Sequence, residues 1–213
     1  MAYTRYRTMP LFGRRPKRGT KPARRRRRRR LLVGGLALLA GAFVALRLSV
    51  DDVNDTLKEL TLPLKHEDVI RQQANRRDLD AALIAAMIYQ ESKFEDRTSN
   101  AGARGLMQIT PETAEFIEKE SGGSTFQFED LADPDLNVRY GTFYLRYLID
   151  RYHGNEIAAI AAYNAGPTQV DKWGGAEIEF EDIAFDETRH YVEIVVAKRD
   201  DYRNRYEKEL GLR

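Results

Sequence analysis

Seven consecutive arginines stand directly before an apolar stretch, and together they limit what the first fifty residues can form. The arginines occupy 24–30, and residues 31–46 are sixteen Leu, Val, Ala, Gly and Phe residues without a polar side chain. If Arg47 extends its guanidinium to the interface, 31–50 supplies the roughly 20 residues that a helix needs to cross a hydrocarbon core of about 30 Å. The segment 31–50 is therefore predicted to be a transmembrane signal-anchor.

Three alternatives to an anchor exist for this region. A nucleic-acid-binding arm would account for the arginines by phosphate neutralisation, but not for the apolar residues beside them, so no specific nucleic-acid partner is expected. A buried core helix would carry polar residues at helical spacing, and 31–46 carries none. A cleaved signal peptide stays open, because Ala40-Gly41-Ala42 has the A-x-A cleavage pattern, although the basic segment is long for one. The anchor and the cleaved peptide both export the rest of the chain.

The charges of the chain are segregated. Residues 1–30 hold 14 of the 35 Lys and Arg and no Asp or Glu, whereas 51–213 holds 20 basic residues against all 33 acidic ones, a net charge of −13. This asymmetry indicates a disordered basic arm, 1–30, joined to a separate acidic domain. By the positive-inside rule the arm is cytoplasmic, and 51–213 lies on the extracytoplasmic side of a single-pass membrane protein.

The residues that usually bind metals are missing or scattered. The chain has no cysteine, which excludes a disulfide framework and a thiolate metal site. Its three histidines, His66, His153 and His190, lie far apart in sequence and form no ligand motif such as HExxH. We therefore expect a mechanism without metal or cofactor.

Residues 51–65 are predicted to be a polar stalk that ends at Pro63, and 66–213 to be one helical domain. No segment alternates with a period of two for long enough to form a sheet. A last helix is expected over about 187–208. Four other helices are predicted to begin after the side chains of Asp80, Thr110, Asp133 and Asn155. The helix that begins after Asn155 is predicted to end at Gly166-Pro167. The expected fold class is all-α.

One acidic residue interrupts the apolar face of the helix that begins after Asp80. Leu83 and Met87 lie four residues apart, and the next position of that row is Glu91. A helix that ends there would leave Glu91 in solvent, as most glutamates are. A half-buried Glu91 would instead have a raised pKa, as the general acid of a glycosidase requires. The helix pattern by itself leaves both possibilities open.

Four motifs in one order decide between them. They are Gln90-Glu91-Ser92-Lys93-Phe94, the segment 99–111 containing Gly105-Leu106-Met107-Gln108, Ala162-Tyr163-Asn164-Ala165-Gly166, and Glu187-Thr188-Arg189-His190-Tyr191-Val192. Together they resemble the lytic transglycosylase family, whose catalytic domain is similar to goose-type lysozyme. Asp133-Pro134, Asn137, Tyr140-Gly141 and Tyr144-Leu145 also fit the central helix of that family. The resemblance extends over roughly 70–205.

This resemblance implies a lysozyme-like helical domain that acts on peptidoglycan glycan strands. It implies that Glu91 is the catalytic residue and that Gly105 allows a close approach of the backbone. The implied substrate-binding residues are Ser92, Met107, Gln108, Tyr163, Asn164 and Tyr191, with the Tyr191 hydroxyl reaching the catalytic carboxyl or the adjoining sugar. Ser92 could equally be a helix-end residue, Met107 a core residue and Gly166 a helix C-cap.

The implied reaction breaks the bond between N-acetylmuramic acid and N-acetylglucosamine without water. Glu91 would protonate the linking oxygen and then, as a carboxylate, accept the proton of the muramoyl C6 hydroxyl as a 1,6-anhydro ring closes. Ordinary glycosidases need a second carboxylate, and the only other acidic residue of the motifs, Glu187, is structural by resemblance. A hydrolysing muramidase and an inactive peptidoglycan-binding protein are the alternatives.

Overall fold

The computed structural model describes residues 61–122 and 127–212. The predicted arm 1–30 and anchor 31–50 lie outside these residues, as does most of the predicted stalk. Within the described ranges, no helix is both long enough and apolar enough to cross a membrane.

Helices dominate the described ranges, where two isolated β-bridges, Thr98 to Arg104 and Arg104 to Ile109, are the only extended pairings. The α-helices are α1 Glu67–Arg77, α2 Ala81–Ser92, α3 Pro111–Ser121, α4 Pro134–Arg151, α5 Glu156–Ala165, α6 Pro167–Trp173 and α7 Asp186–Arg205. Short 3-10 turns lie at Phe128–Ala132, Gly175–Glu177 and Phe180–Asp182. The predicted all-α class is confirmed for this part of the chain.

The four predicted N-caps begin four of the predicted helices. Asp80 accepts a hydrogen bond from the amide of Ala82 at 2.8 Å, and Thr110 accepts one from Thr113 at 3.1 Å. The other two bonds follow the same pattern: Asp133 accepts from Leu136 at 2.8 Å and Asn155 from Ala158 at 3.1 Å. Each cap satisfies an amide that the first helical turn leaves without a partner.

Two apolar helices form the centre of the domain. In α2 the residues 81–88 are all buried, and in α5 the residues 158–162 are all buried. Helices that are apolar on every side must be covered on every side, and the last long helix, α7, packs against both of them. Helix α4 packs against α1, α3 and α5, so that α3 and α4 together form one flank of the domain.

The end of α5 differs in part from the prediction. Gly166, with a φ of +86°, ends the helix as expected, and its amide bonds to the Ala162 carbonyl. Pro167 is more than a stop, however, because it is the first residue of the short helix α6. Proline cannot continue the preceding helix, but its fixed φ suits the first turn of the next.

The predicted stalk extends too far toward the domain. Leu62 is only 1% exposed and belongs to the core. The Tyr206 hydroxyl donates a 2.6 Å hydrogen bond to the Leu62 carbonyl, and the Tyr202 hydroxyl donates one of 2.5 Å to the Pro63 carbonyl. Residues 62 and 63 are therefore attached to α7, and the domain begins before residue 66. The sequence did not reveal this, because the contacting tyrosines lie about 140 positions away.

Candidate active site

Glu91 lies in the last turn of α2, half-buried, below the fully buried Leu83 and Met87 of the same row. The helix ends abruptly just beyond it. Lys93 and Phe94 have φ values of +58° and +63°, a left-handed conformation that costs energy for residues with a Cβ. These two residues turn the chain back across the helix end, which brings the next loop beside the carboxyl.

Burial and two neighbours set the protonation of Glu91. Burial raises the pKa of its carboxyl from 4.5 to about 7, while the Tyr191 hydrogen bond and the charge of Arg97 act in the opposite direction. The Tyr191 hydroxyl donates to Glu91 Oε1 at 2.5 Å. Glu91 therefore changes protonation near neutral pH, and one of its two oxygens faces a fixed donor from α7. The predicted reach of Tyr191 to this carboxyl agrees with the geometry.

Tyr163 faces the same carboxyl from α5. Its hydroxyl donates a 2.9 Å hydrogen bond to the backbone carbonyl of Met107. Burial, followed by the charge of Glu91, raises the pKa values of Tyr163 and Tyr191 well above that of a free phenol. Both residues therefore stay protonated and can act as hydrogen-bond donors at neutral pH. Asn164, the next residue, is exposed, and its side-chain oxygen accepts a 2.8 Å bond from Thr188.

A buried asparagine, to which the sequence motifs assign no role, holds the glycine-containing loop. Asn137 of α4 accepts a 2.7 Å hydrogen bond from the Met107 amide and donates to the carbonyls of Arg104 and Leu131 at 2.8 and 3.0 Å. A Cβ on Gly105, whose φ is +76°, would lie 2.1 Å from the Asn137 amide nitrogen. The close approach predicted for Gly105 is confirmed.

Two predicted substrate contacts need correction. Ser92 is 1% exposed, and its hydroxyl donates a 3.1 Å hydrogen bond to the Ile88 carbonyl within the helix. The Met107 side chain is fully buried, and a Cβ added to Gly141 would lie 2.3 Å from its sulfur. Neither side chain faces open space, so both support the site from within. The motifs could not distinguish these roles, because burial here depends on contacts between distant segments.

Gln108 is partly exposed, with a φ of +47°. Its amide nitrogen donates to the carbonyls of Arg97 and Gly105 at 2.9 and 2.8 Å. Arg97 in turn donates to the backbone carbonyl of Glu91. Arg97 was missed at the sequence level, because an arginine in a loop gives no pattern. Together these bonds fasten the loop 97–109 to the end of α2.

A groove with a cavity volume of about 460 Å³ lies between α3, α4 and the α5–α6 junction. Tyr163 and Asn164 line it together with three aromatic residues, Phe116, Tyr144 and Tyr147. The ring centroids of Tyr144 and Tyr163 are 5.5 Å apart, and those of Phe116 and Tyr147 are 4.8 Å apart. The groove thus presents aromatic rings that continue toward the tyrosine beside Glu91. Phe116 and Tyr147 had not been predicted.

Three comparisons agree on the family of this chain. Residues 68–185, more than half of the chain, match the model of the transglycosylase SLT domain. The soluble lytic murein transglycosylase of Salmonella typhimurium is 36% identical over 159 residues, which are 70% of this chain and 24% of that protein. The membrane-bound lytic murein transglycosylase F of Pasteurella multocida is 38% identical over 96 residues, 42% of this chain and 18% of that one.

The fold has solved counterparts. An inactive mutant of the lytic transglycosylase Slt from Pseudomonas aeruginosa, in which a glutamate is replaced by glutamine, is 34% identical in sequence. It superimposes with a TM-score of 0.65 over 70% of this chain and 26% of its own. This chain spans about a quarter of the length of the soluble curated relatives that it matches. Family model, relatives and fold together establish that the chain belongs to the SLT transglycosylase family, with its lysozyme-like helical fold.

Proposed function

We propose that this protein is a peptidoglycan lytic transglycosylase. It cleaves the β-1,4 bond between N-acetylmuramic acid and N-acetylglucosamine and leaves 1,6-anhydro-N-acetylmuramic acid ends. One observation carries the proposal: Glu91, a half-buried carboxyl with a pKa of about 7, lies near Tyr163, which lines an aromatic groove. The family membership supports it, as do the names of the relatives.

Glu91 acts first as the acid. At a pH near 7 a large fraction of the carboxyl carries a proton. Tyr191 occupies Oε1, so the proton is available on Oε2 for the glycosidic oxygen. Protonation of that oxygen lets the bond to the anomeric carbon break, and N-acetylglucosamine leaves as an alcohol. The loss of activity of the P. aeruginosa relative on a glutamate-to-glutamine change is consistent with this role.

Glu91 acts next as the base. The carboxylate accepts the proton of the muramoyl C6 hydroxyl while that oxygen bonds to the anomeric carbon, so the enzyme returns to its starting state without consuming water. A tethered hydroxyl has a large advantage over a solvent nucleophile. Apart from Glu187, whose side chain is exposed on α7, the four motifs supply no second carboxylate partner for Glu91. An inverting or retaining glycosidase would need such a partner.

The other motif residues orient the sugar. Tyr163 and Asn164 line the groove and bind the reacting N-acetyl sugar, and the rings of Phe116, Tyr144 and Tyr147 bind apolar faces of neighbouring sugars. Gln108 has its amide nitrogen committed to the loop. Its side chain is partly exposed, so Gln108 stays a proposed substrate contact, whereas Ser92 and Met107 support the site from the interior.

The reaction is tested by the products that purified protein releases from peptidoglycan sacculi. Mass spectrometry should find muropeptides lighter by one water than hydrolysis products. Glu91→Gln should release almost none. Glu112→Gln is the matched control, since it neutralises an exposed carboxyl that also lines the groove, and it should keep most of the activity. Equal loss in both variants would contradict the assignment of Glu91.

We further propose that residues 31–50 anchor the protein in the cytoplasmic membrane, with 1–30 inside and the domain outside. The arginine run and the acidic domain support this orientation. Protease added to spheroplasts should digest the domain and spare a tag on residue 1. A protected domain with a digested tag would refute the orientation, and loss of the tag during maturation would indicate cleavage after Ala42.

A further inference from the structure

A second pocket, of about 300 Å³, lies between the end of α1, the end of α3 and the middle of α4. Three arginines line it: Arg76 and Arg77 from α1, and Arg139 from α4. Arg77 lies over the ring of Phe143, with its guanidinium carbon 5.0 Å from the ring centroid. The stacking gives one face of the pocket a fixed, flat cation.

The described residues do not balance the positive charge of this pocket. Among the described residues, six other arginines form ion pairs with Asp or Glu, but Arg76, Arg77 and Arg139 do not. The one carboxylate that lines the pocket, Glu118, accepts a hydrogen bond from the Tyr140 hydroxyl.

Arg77 has two further features that favour the binding of an anion. Its Nε is buried and has no hydrogen-bond partner among the described residues. Burial, followed by the charges of Arg76 and Arg139, lowers its pKa. The cluster therefore repels itself, although the residues from 51 onward carry a net charge of −13 and offer many acidic partners. Guanidinium groups bind carboxylates and phosphates through paired hydrogen bonds, and such a ligand would relieve the repulsion.

The position of the pocket indicates where the anion comes from. The pocket and the aromatic groove share α3 and α4: Phe116 and Tyr147 line the groove, while Glu118 and Arg139 line the pocket. Tyr147 and Arg139 are eight residues apart on α4, a rise of about 12 Å. An extended peptide covers that distance in about four residues. A short side branch of a polymer held in the groove can therefore reach the arginines.

We propose that the arginine pocket binds a carboxylate of the stem peptide carried by a peptidoglycan strand in the groove. The proposal rests on the proposed function, because it takes peptidoglycan as the occupant of the groove. The arginine pocket makes the enzyme prefer strands that still carry their peptides over strands that have lost them.

The test measures binding of the full-length protein in detergent, with Glu91→Gln present to prevent turnover. Two probes are compared: glycan strands with intact stem peptides, and the same strands stripped of peptides by an amidase. We expect about tenfold tighter binding of the peptide-bearing strands, the effect of one charge-assisted hydrogen-bonded contact. Arg76→Gln/Arg139→Gln should abolish this preference and leave the affinity for stripped strands unchanged. Both side chains are exposed, so the fold should be kept.

Arg205→Gln/Lys208→Gln is the control, since it removes the same two charges from exposed positions at and just beyond the end of α7 and should keep the preference. The proposal would be overturned if the double variant kept the full preference for peptide-bearing strands, or if its affinity for both probes fell equally. Loss of inorganic-phosphate binding in the double variant with the peptide preference unchanged would also overturn it, because the site would then bind phosphate groups. Failure of wild-type protein to release anhydro fragments would instead reject the proposed function, which this binding assay does not measure.

Discussion

Replacing Glu91 by glutamine should make the protein more stable, and by an amount that grows with pH. The carboxyl has a pKa of about 7 in the folded protein and 4.5 in an exposed reference state. A raised pKa means that the folded state keeps a proton that the unfolded chain releases. The free energy of unfolding of the wild-type protein is therefore undiminished below about pH 4.5 and falls as the pH rises through 7.

The size of the effect follows from the difference in pKa. One unit corresponds to about 1.4 kcal/mol, so the full shift costs wild-type protein about 3 kcal/mol at pH 8 and above. Glutamine has a similar shape and no charge, and therefore avoids this cost. The free energy of unfolding of Glu91→Gln, minus that of wild type, should rise by about 3 kcal/mol between pH 4 and pH 9.

Urea unfolding of both proteins across this pH range measures the difference directly. Asn164→Ala is the control, because it removes a neighbouring polar side chain without an ionisable group. Its difference from wild type should be independent of pH. Parallel curves for wild type and Glu91→Gln, within about 0.5 kcal/mol from pH 4 to pH 9, would show that Glu91 is not desolvated and would remove the physical basis of its role as an acid.

Three further changes have defined outcomes. Glu91→Gln should lower the rate of glycan cleavage at least 100-fold with an unchanged circular dichroism spectrum, because acid catalysis contributes about 10²–10⁴-fold. A variant that kept a tenth of the wild-type rate would contradict the assignment of Glu91 as the catalytic acid. Tyr191→Phe removes the hydrogen bond that lowers the pKa of Glu91, so the alkaline limb of the pH–activity profile should move upward by about one pH unit. An alkaline limb that stays in place or moves downward would argue against that bond. Gly105→Ala would place a Cβ against Asn137 and the Leu131 carbonyl at a φ of +76°, so the free energy of unfolding, measured by thermal unfolding, should fall by about 1–3 kcal/mol. Unchanged stability would mean that the loop adapts freely.

Local signals made the helices predictable. Asp80, Thr110, Asp133 and Asn155 each cap a helix through their own side chains, and this chemistry involves only the next few residues. The break in the apolar row at Glu91 was visible for the same reason. Its pKa was not, because burial of the carboxyl depends on α7 and on the loop 97–109.

The features that escaped prediction depend on packing between distant segments. Leu62 is a core residue, and its carbonyl accepts a hydrogen bond from Tyr206 at the end of α7. Ser92 and Met107 belong to the motifs, yet other segments bury them. The arginine pocket joins the end of α1 to the middle of α4, more than 60 residues further along, and no spacing in the sequence relates those positions.

The origin of the oxygen at the new chain end tests the central claim most directly. Sacculi are digested in water enriched in heavy oxygen, and the released muropeptides are analysed by mass spectrometry with and without borohydride reduction. The proposed mechanism closes an anhydro ring with the sugar's own C6 oxygen, so the new ends should carry no label and should resist reduction. Labelled, reducible ends as the main product would contradict it and identify the enzyme as a hydrolysing muramidase on the same fold.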